Sequence, residues 1–368
     1  MGSPTDDDVE MGDSFLDSSQ ESQGDKGKEK EGGGKVKAVA SKDSIWVEKY
    51  RPSSLDDIIS HKHILSTLDS LINQKKLPHM LFYGPPGTGK TSTILAVARN
   101  LFGPKFRSLI LELNASDDRG IDVVREKIKS FAGTRKIFSS GVKLIILDEA
   151  DSMTKDAQAA LRRVIEKYTK STRFCLICNY VNKIIPAIQS RCTKFRFAPL
   201  KQEQIVPRLN YIVREEKVEI TDGGMEGLLR LGQGDMRKCV NILQATHMAY
   251  SKVDEEAVYK CTGNPLPEII RRIVEILLNE EFSGAYQEIL AIKTGAGIAL
   301  TDILSEVFFY VQTLSFPPKV RMKLYDSLAT IEHRQSVGTT EHLQLAALVA
   351  AFQHAREETE VFLAMKED

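Results

Sequence analysis

Leu81-Phe82-Tyr83-Gly84-Pro85-Pro86-Gly87-Thr88-Gly89-Lys90-Thr91-Ser92 decides the fold of this 368-residue chain. A short apolar run ends in a glycine-rich turn that fits G-x-x-x-x-G-K-[ST], and a helical pattern follows. Glycines let successive backbone N–H groups curl around a phosphate without a Cβ clash. The helix that follows adds the positive end of its dipole. Lys90 is expected to reach the β- and γ-phosphates of a nucleotide, and Thr91 to hold Mg²⁺ through its hydroxyl. Gly84, Pro85, Pro86, Gly87, Thr88, Gly89, Lys90, Thr91 and Ser92 are therefore the first candidate nucleotide-binding residues. A chance glycine turn is the alternative, and the strand before it and helix after it argue against that.

Outward from this turn, apolar strands alternate with amphipathic helices up to about Leu200. Leu109–Leu113 reads as one strand. Leu144-Ile145-Ile146-Leu147 reads as a strand buried on both faces. Ala157, Ala160, Leu161, Val164, Ile165 and Tyr168 recur at helical spacing, and Phe174–Cys178 and Thr193–Phe197 give two more strands. Strands alternating with helices imply a parallel α/β sheet.

The buried run ends in Asp148-Glu149-Ala150-Asp151. Ionised carboxylates there are costly unless a cation or a proton uses them. Asp148 is a candidate Mg²⁺ ligand alongside Thr91, and Glu149 a candidate general base for an attacking water. Asn179 closes the next strand and is a candidate to orient that water and touch the nucleotide. Taken alone, the acids would pass as a solvated turn and Asn179 as a turn former. Their spacing after the glycine-rich turn favours catalysis.

Hydrophobic residues make up 42% and charged residues 27%, as in a soluble globular protein. No run of about 18 apolar residues points to a membrane span. The acidic N-terminus does not read as a secretory signal. Cys175 and Cys178 form a C-x-x-C, but the run around them is apolar, with no second Cys or His pair to complete a metal site. They read as buried strand thiols in a reducing compartment. Residues 1–40 hold ten acidic residues and five lysines; taken from 50 and 50, these leave 45 basic and 40 acidic residues in the body. Any nucleic-acid contact must then come from a local patch rather than from bulk charge. Residues 1–42 are too polar to offset ordering entropy and are expected to be a disordered, solvated tail.

The expected division is a tail over 1–42, an ATPase domain over 43–200, a helical lid over 201–265 and a helical C-terminal domain over 266–368. Gly223-Gly224 and Gly232-Gln233-Gly234-Asp235 read as breaks in the lid. Pro265, Pro267, Pro317 and Pro318 punctuate the last domain. There Ile269, Ile270, Ile273, Val274 and Leu277 are expected to form one apolar face, and Leu343, Ala346, Ala347, Ala350 and Ala351 another.

With these residues in hand, the chain resembles replication factor C, the AAA+ clamp-loader family, on its small-subunit side and closest to the fifth-subunit type. The likeness spans roughly residues 44–368. It rests on Trp46-Val47-Glu48-Lys49-Tyr50-Arg51-Pro52, Asn114-Ala115-Ser116-Asp117, Asp148–Asp151, Ser190-Arg191-Cys192 and Gly234-Asp235-Met236-Arg237. It implies an AAA+ P-loop ATPase fold with a parallel sheet, a small helical lid and an all-α collar for oligomerisation. It implies an ATPase that uses ATP and Mg²⁺ to open a sliding clamp (PCNA type) and place it on primer–template DNA. Its partners would be the other subunits of a hetero-pentamer, working in the nucleus.

The same resemblance implies that Arg191 acts in trans, as an arginine finger on the nucleotide of the neighbouring subunit. Arg237 would sense nucleotide from the lid, and Val47 and Arg51 would close over its adenine and ribose side. An interface salt bridge is the alternative for Arg191, a surface charge for Arg237 and mere packing for the Trp46–Pro52 stretch. Arg119, Arg125, Lys129, Arg135 and Lys136, with Arg162 and Arg163, are candidates for contacts to DNA phosphates, which position without specifying sequence. A mainly structural subunit that binds nucleotide and donates Arg191 remains open. A different AAA+ machine does not account for Ser190-Arg191-Cys192.

Overall fold

The computed structural model describes residues 45–367, apart from Asp56, Ile59, Lys75, 117–120 and 135–141, and apart from the side chains of 121–125 and 365–367. The expected tail over 1–42 and the candidates Arg119, Arg125, Arg135 and Lys136 lie outside what is described.

A short helix α1 (Trp46–Lys49) and helix α2 (Lys62–Asn73) precede strand β1 (Met80–Tyr83). Then come α3 (Lys90–Phe102), α4 (Phe106–Leu109), β2 (Ile110–Asn114), α5 (Ile121–Gly133), β3 (Lys143–Asp148), α6 (Lys155–Tyr168), β4 (Thr172–Cys178), α7 (Pro186–Gln189) and β5 (Thr193–Arg196). The strands form one parallel sheet in the order β2-β3-β4-β1-β5. Leu109 closes α4 rather than opening β2, which shifts the expected start of that strand by one residue.

The continuous apolar runs have a direct cause. Successive strand residues point to opposite faces, and both faces are covered. Leu81, Ile145, Leu147, Phe174, Leu176 and Cys178 enter one core with α6 residues Leu161, Val164 and Ile165. Met80, Phe82, Leu144, Ile146, Cys175 and Ile177 enter the other with Ile94, Val97 and Ala98 of α3. Each large side chain so buried contributes about 1.5–3 kcal/mol. Cys175 and Cys178 are thus core residues, and burial pushes the Cys178 thiol up to about 12.

His79, just ahead of β1, ties this sheet together. Its Nδ1 accepts a hydrogen bond from the Phe174 amide at 3.2 Å, and its carbonyl accepts from Thr193 N at 2.8 Å. Burial, with the Arg173 cation adding to it, lowers the imidazole from the ordinary 6.5 to about 4. The folded ring is therefore neutral where the unfolded one takes up a proton. Its contribution to stability is fully present above pH 6.5 and is lost as pH falls towards 4, by at most about 3 kcal/mol. We expect His79→Asn, which keeps an acceptor but cannot titrate, to flatten the fall in urea midpoint between neutral and acidic pH. An equally steep fall in the variant contradicts this account.

Four helices follow: α8 (Gln202–Glu216), α9 (Asp222–Gly232), α10 (Met236–Ala249) and α11 (Glu255–Thr262). They pack around Leu209, Ile212, Leu228, Cys239, Leu243, Val258 and Tyr259, and Trp46 of α1 enters the same core. We call these four helices the lid. Gly223-Gly224 does not break a helix. Both residues lie in the first turn of α9, where Thr221 accepts from Gly224 N at 3.1 Å. Gly224 is needed for another reason: a Cβ there would sit 2.3 Å from the Val253 carbonyl oxygen. Gly232-Gln233-Gly234-Asp235 does interrupt the chain, with Gln233 left-handed and Asp235 capping α10 through Lys238 N at 3.1 Å.

The remaining helices are α12 (Pro267–Asn279), α13 (Phe282–Ala296), α14 (Leu300–Val311), α15 (Pro318–Ser336) and α16 (Glu341–Glu367), with Pro267 and Pro318 at helix starts. Ile270, Ile273, Val274 and Leu277 are buried and Ile269 is half-buried. The face expected on α16 is only partly the buried one: Ala347 and Ala351 pack against the core and Ala346 is half-buried. Leu343 is 67% exposed and Ala350 is exposed, while Leu345, Leu348, Val349, Phe352 and Ala355 form the buried stripe. Alanines carry little hydrophobic contrast, so the large side chains choose the face. No single described helix is long and apolar enough to cross a membrane.

Candidate nucleotide-binding and ATPase site

The turn between β1 and α3 is shaped by glycines that contact other segments. Gly84 has φ +142, and a Cβ there would lie 1.9 Å from the Phe197 carbonyl oxygen. Gly87 has φ +65, and its Cβ would lie 1.6 Å from Asp235 Oδ1, so this glycine admits the cap of the lid helix against the turn. The Met236 amide also donates to the Gly87 carbonyl at 3.3 Å. Sequence reading gave Asp235 no separate role; its signal was an N-cap residue two positions ahead of Arg237.

A cavity of about 240 Å³ opens over this turn. Pro86, Gly87, Thr88, Gly89, Lys90, Thr91 and Ser92 form its floor, with Asp148, Glu149 and Asn179 at one side. Gly84 and Pro85 lie beneath it and meet Lys90 through their carbonyls. The lining also includes Val47, Arg51 and their neighbours in 46–52, together with Gln204, Arg208, Met236 and Arg237 of the lid. α3 begins at Lys90, so its unpaired N–H groups face the floor.

Lys90 is 7% exposed. Its Nζ donates to Gly84 O at 2.7 Å, Pro85 O at 2.8 Å and Asn179 Oδ1 at 3.0 Å, which occupies all three ammonium protons. Burial lowers its pKa, and the nearby Asp148 opposes that. An entering phosphate must replace neutral oxygens with charged ones on this ammonium, an exchange that strengthens each bond.

The Thr91 hydroxyl donates to Asp148 Oδ2 at 2.7 Å, and the Glu149 amide donates to Asp148 Oδ1 at 2.9 Å. Adjacent ligands on octahedral Mg²⁺, at about 2.1 Å from the metal, stand about 3 Å apart. The 2.7 Å between Thr91 Oγ1 and Asp148 Oδ2 is a spacing at which the two could share one such ion. Among the described residues no group of three or more His, Cys, Asp or Glu is arranged to hold a metal ion by itself.

Glu149 is exposed towards the cavity in a left-handed conformation, φ 51, which costs about 1 kcal/mol for a non-glycine residue. Asn179 is set by a residue to which the sequence reading gave no separate role. Asp151 Oδ2 accepts from the amides of both Asn179 and Tyr180 at 3.1 Å.

Arg191 does not line this cavity. It follows α7, where its guanidinium donates to Ala187 O at 2.6 Å and pairs with Glu166 Oε1 at 2.6 Å. Glu166 also pairs with Arg162 Nε at 3.3 Å, so Arg162 faces the Arg191 cluster, whereas Arg163 and Lys129 are exposed.

Comparison with known proteins identifies the family. Residues 80–200 match the ATPase family associated with various cellular activities (AAA), and residues 265–351 match the replication factor C C-terminal domain. Replication factor C subunit 5 of Homo sapiens is 59% identical over 313 residues, which is 85% of this chain and 92% of that protein. The chain belongs to the replication factor C family. Replication factor C subunit 5 of Arabidopsis thaliana is 56% identical over 86% of this chain and 88% of that protein. Replication factor C subunit 3 of Schizosaccharomyces pombe is 55% identical over 83% and 90%. The fold is accordingly an AAA ATPase domain with a five-stranded parallel sheet and a helical replication factor C domain after it.

Proposed function

We propose that this replication factor C chain is an ATPase subunit of a DNA clamp loader. It binds ATP with Mg²⁺ in the cavity above the glycine-rich turn, assembles with the other subunits into a hetero-pentamer, and helps to open a PCNA-type sliding clamp and place it on primer–template DNA in the nucleus. The division into tail, ATPase domain (43–200), lid (201–265) and collar (266–368) belongs to this reading. The observation that carries it is the convergence on one cavity of Lys90, Thr91, Asp148, Glu149, Asn179 and the lid residue Arg237.

In this reading Lys90, Arg237 and the α3 N-terminus hold the triphosphate, and Val47 and Arg51 flank the adenosine. Thr91 and Asp148 hold Mg²⁺, which neutralises charge on the transferring phosphoryl group. Asn179 and Glu149 orient a water, and the Glu149 carboxylate takes its proton. Arg191, outside the chain's own cavity, serves the neighbouring subunit's phosphates. Lys129, Arg163 and the other basic residues of that region are candidates for backbone contacts to DNA.

The experiment is Glu149→Gln in the reconstituted complex. We expect total ATP turnover to fall, by at least about 10²-fold at this site, with nucleotide affinity of the chain retained. Unchanged total turnover would instead make this subunit a nucleotide-binding scaffold that donates Arg191.

A further inference from the structure

Two segments far apart in sequence, residues 46–52 and the lid, both line the cavity above the glycine-rich turn. Among the described residues, the side-chain hydrogen bonds that fasten 46–50 to the rest of the chain run to the lid. The Trp46 amide donates to Gln244 Oε1 at 2.9 Å, and Arg208 Nη2 donates to the Tyr50 carbonyl at 2.7 Å. Lys49 Nζ and the Tyr50 hydroxyl both donate to Glu216 Oε1 at 2.6 Å. The Trp46 side chain is buried in the lid core, with Val47 and Tyr50 packed against it. The next anchor, Arg99 Nη1 to the Ser53 carbonyl at 3.0 Å, lies past Pro52 and ties the chain to α3 of the ATPase domain. The mechanical allegiance of the chain therefore changes between Tyr50 and Ser53.

We infer that Glu216 and Arg208 form a latch that makes residues 46–51 part of the lid, so that they act as positioning residues for the base side of the nucleotide. This rests on the proposed nucleotide site, in which Val47 and Arg51 flank the adenosine. Glu216 ends α8 and does not line the cavity. Its influence on a ligand must pass through residues 46–51. Its side chain is 18% exposed, so the pair with Lys49 is shielded from solvent more than an ordinary surface pair. Hydrogen bonds from Lys49 and Tyr50 outweigh burial and hold the Glu216 carboxyl below its usual range, while burial and Glu216 push the Tyr50 phenol up to about 12. The latch thus stays in one ionic form around neutral pH. A lid that swings carries Val47 and Arg51 with it as well as its own Arg237, so the base side loosens together with that one phosphate contact, while Lys90 and the glycine-rich turn stay in place.

The test separates base from phosphate. A fluorescent ADP analogue bound to the full chain is displaced by ATP and, separately, by inorganic triphosphate. For Glu216→Ala we expect ATP to bind about tenfold more weakly, the loss of one charge-assisted anchor, with triphosphate within about twofold of wild type. Lys49→Glu alone is expected to show the same selective loss, and adding Glu216→Lys to recover most of it. The exchanged pair also carries the test if Glu216→Ala does not fold. Unchanged ATP affinity in Glu216→Ala, an equal loss for both competitors, or no recovery in the exchanged pair overturns the latch. A wild-type chain that binds neither competitor overturns the nucleotide site itself, a different result.

Discussion

Arg191→Ala lowers ATP turnover of the assembled complex by about 10³-fold or more at the site it serves, and leaves this chain's own nucleotide affinity within about twofold. The two halves of this expectation have separate grounds. Arg191 is absent from the lining of its own cavity, so its removal takes nothing from the ligand bound there. Its side chain is 37% exposed and its ion pair is to Glu166, itself 41% exposed. Such pairs are worth about 1 kcal/mol or less, so the fold loses little and the guanidinium can leave Glu166 for a stronger acceptor. A phosphate of a neighbouring subunit is such an acceptor. Steady-state turnover of the reconstituted complex, set beside a titration of the isolated chain, checks both halves. A normal rate refutes the role in trans, and a fall in the chain's own affinity moves Arg191 into the wrong pocket.

Lys90→Ala is expected to weaken binding of ATP and of inorganic triphosphate alike, each by about 100-fold or more, because the lost contact is to phosphate. This pattern is the converse of the one expected for Glu216→Ala, whose effect depends on the base. The nucleotide-free chain is expected to change as well. Lys90 satisfies Gly84 O, Pro85 O and Asn179 Oδ1, and its removal leaves these acceptors to water at a cost of about 1–3 kcal/mol. The desolvated ammonium is removed with them, which offsets part of that cost. Unfolding midpoints without nucleotide measure the structural part; titration measures the rest. Unaltered affinity for both ligands ends the phosphate role of Lys90.

The strands were legible because a buried parallel strand must be apolar on both sides. Leu144–Leu147 could hardly be another element beside a glycine-rich turn and a strand-end Asp148. The spacing of Lys90, Thr91, Asp148 and Asn179 was legible because parallel strands end at one edge of a sheet, so residues at or just past the ends of β1, β3 and β4 must meet there. Less local features were not legible. Gly223-Gly224 has the composition of a break, yet Thr221 caps a helix through it. The alanine-rich pattern of α16 located only the edge of the buried face, Ala347 and Ala351, and wrongly included Leu343 and Ala350, because alanines constrain rotation too weakly against Phe352 and its leucines.

The sequence by itself determined the family, the sheet, the glycine-lined turn and the acids at the strand ends, since each depends on residues near one another in the chain or on the period of a single element. Tertiary structure alone decided that Glu216 holds Lys49 and Tyr50, that Asp235 abuts Gly87, that Asp151 sets Asn179 and that Glu166 carries Arg191. The reason is physical. Exposed and half-buried polar side chains are chosen by the partner that folding brings within about 3 Å, and no periodicity of a single element encodes a partner on another one, whether 28 residues away, as Asp151 is from Asn179, or 167, as Glu216 is from Lys49.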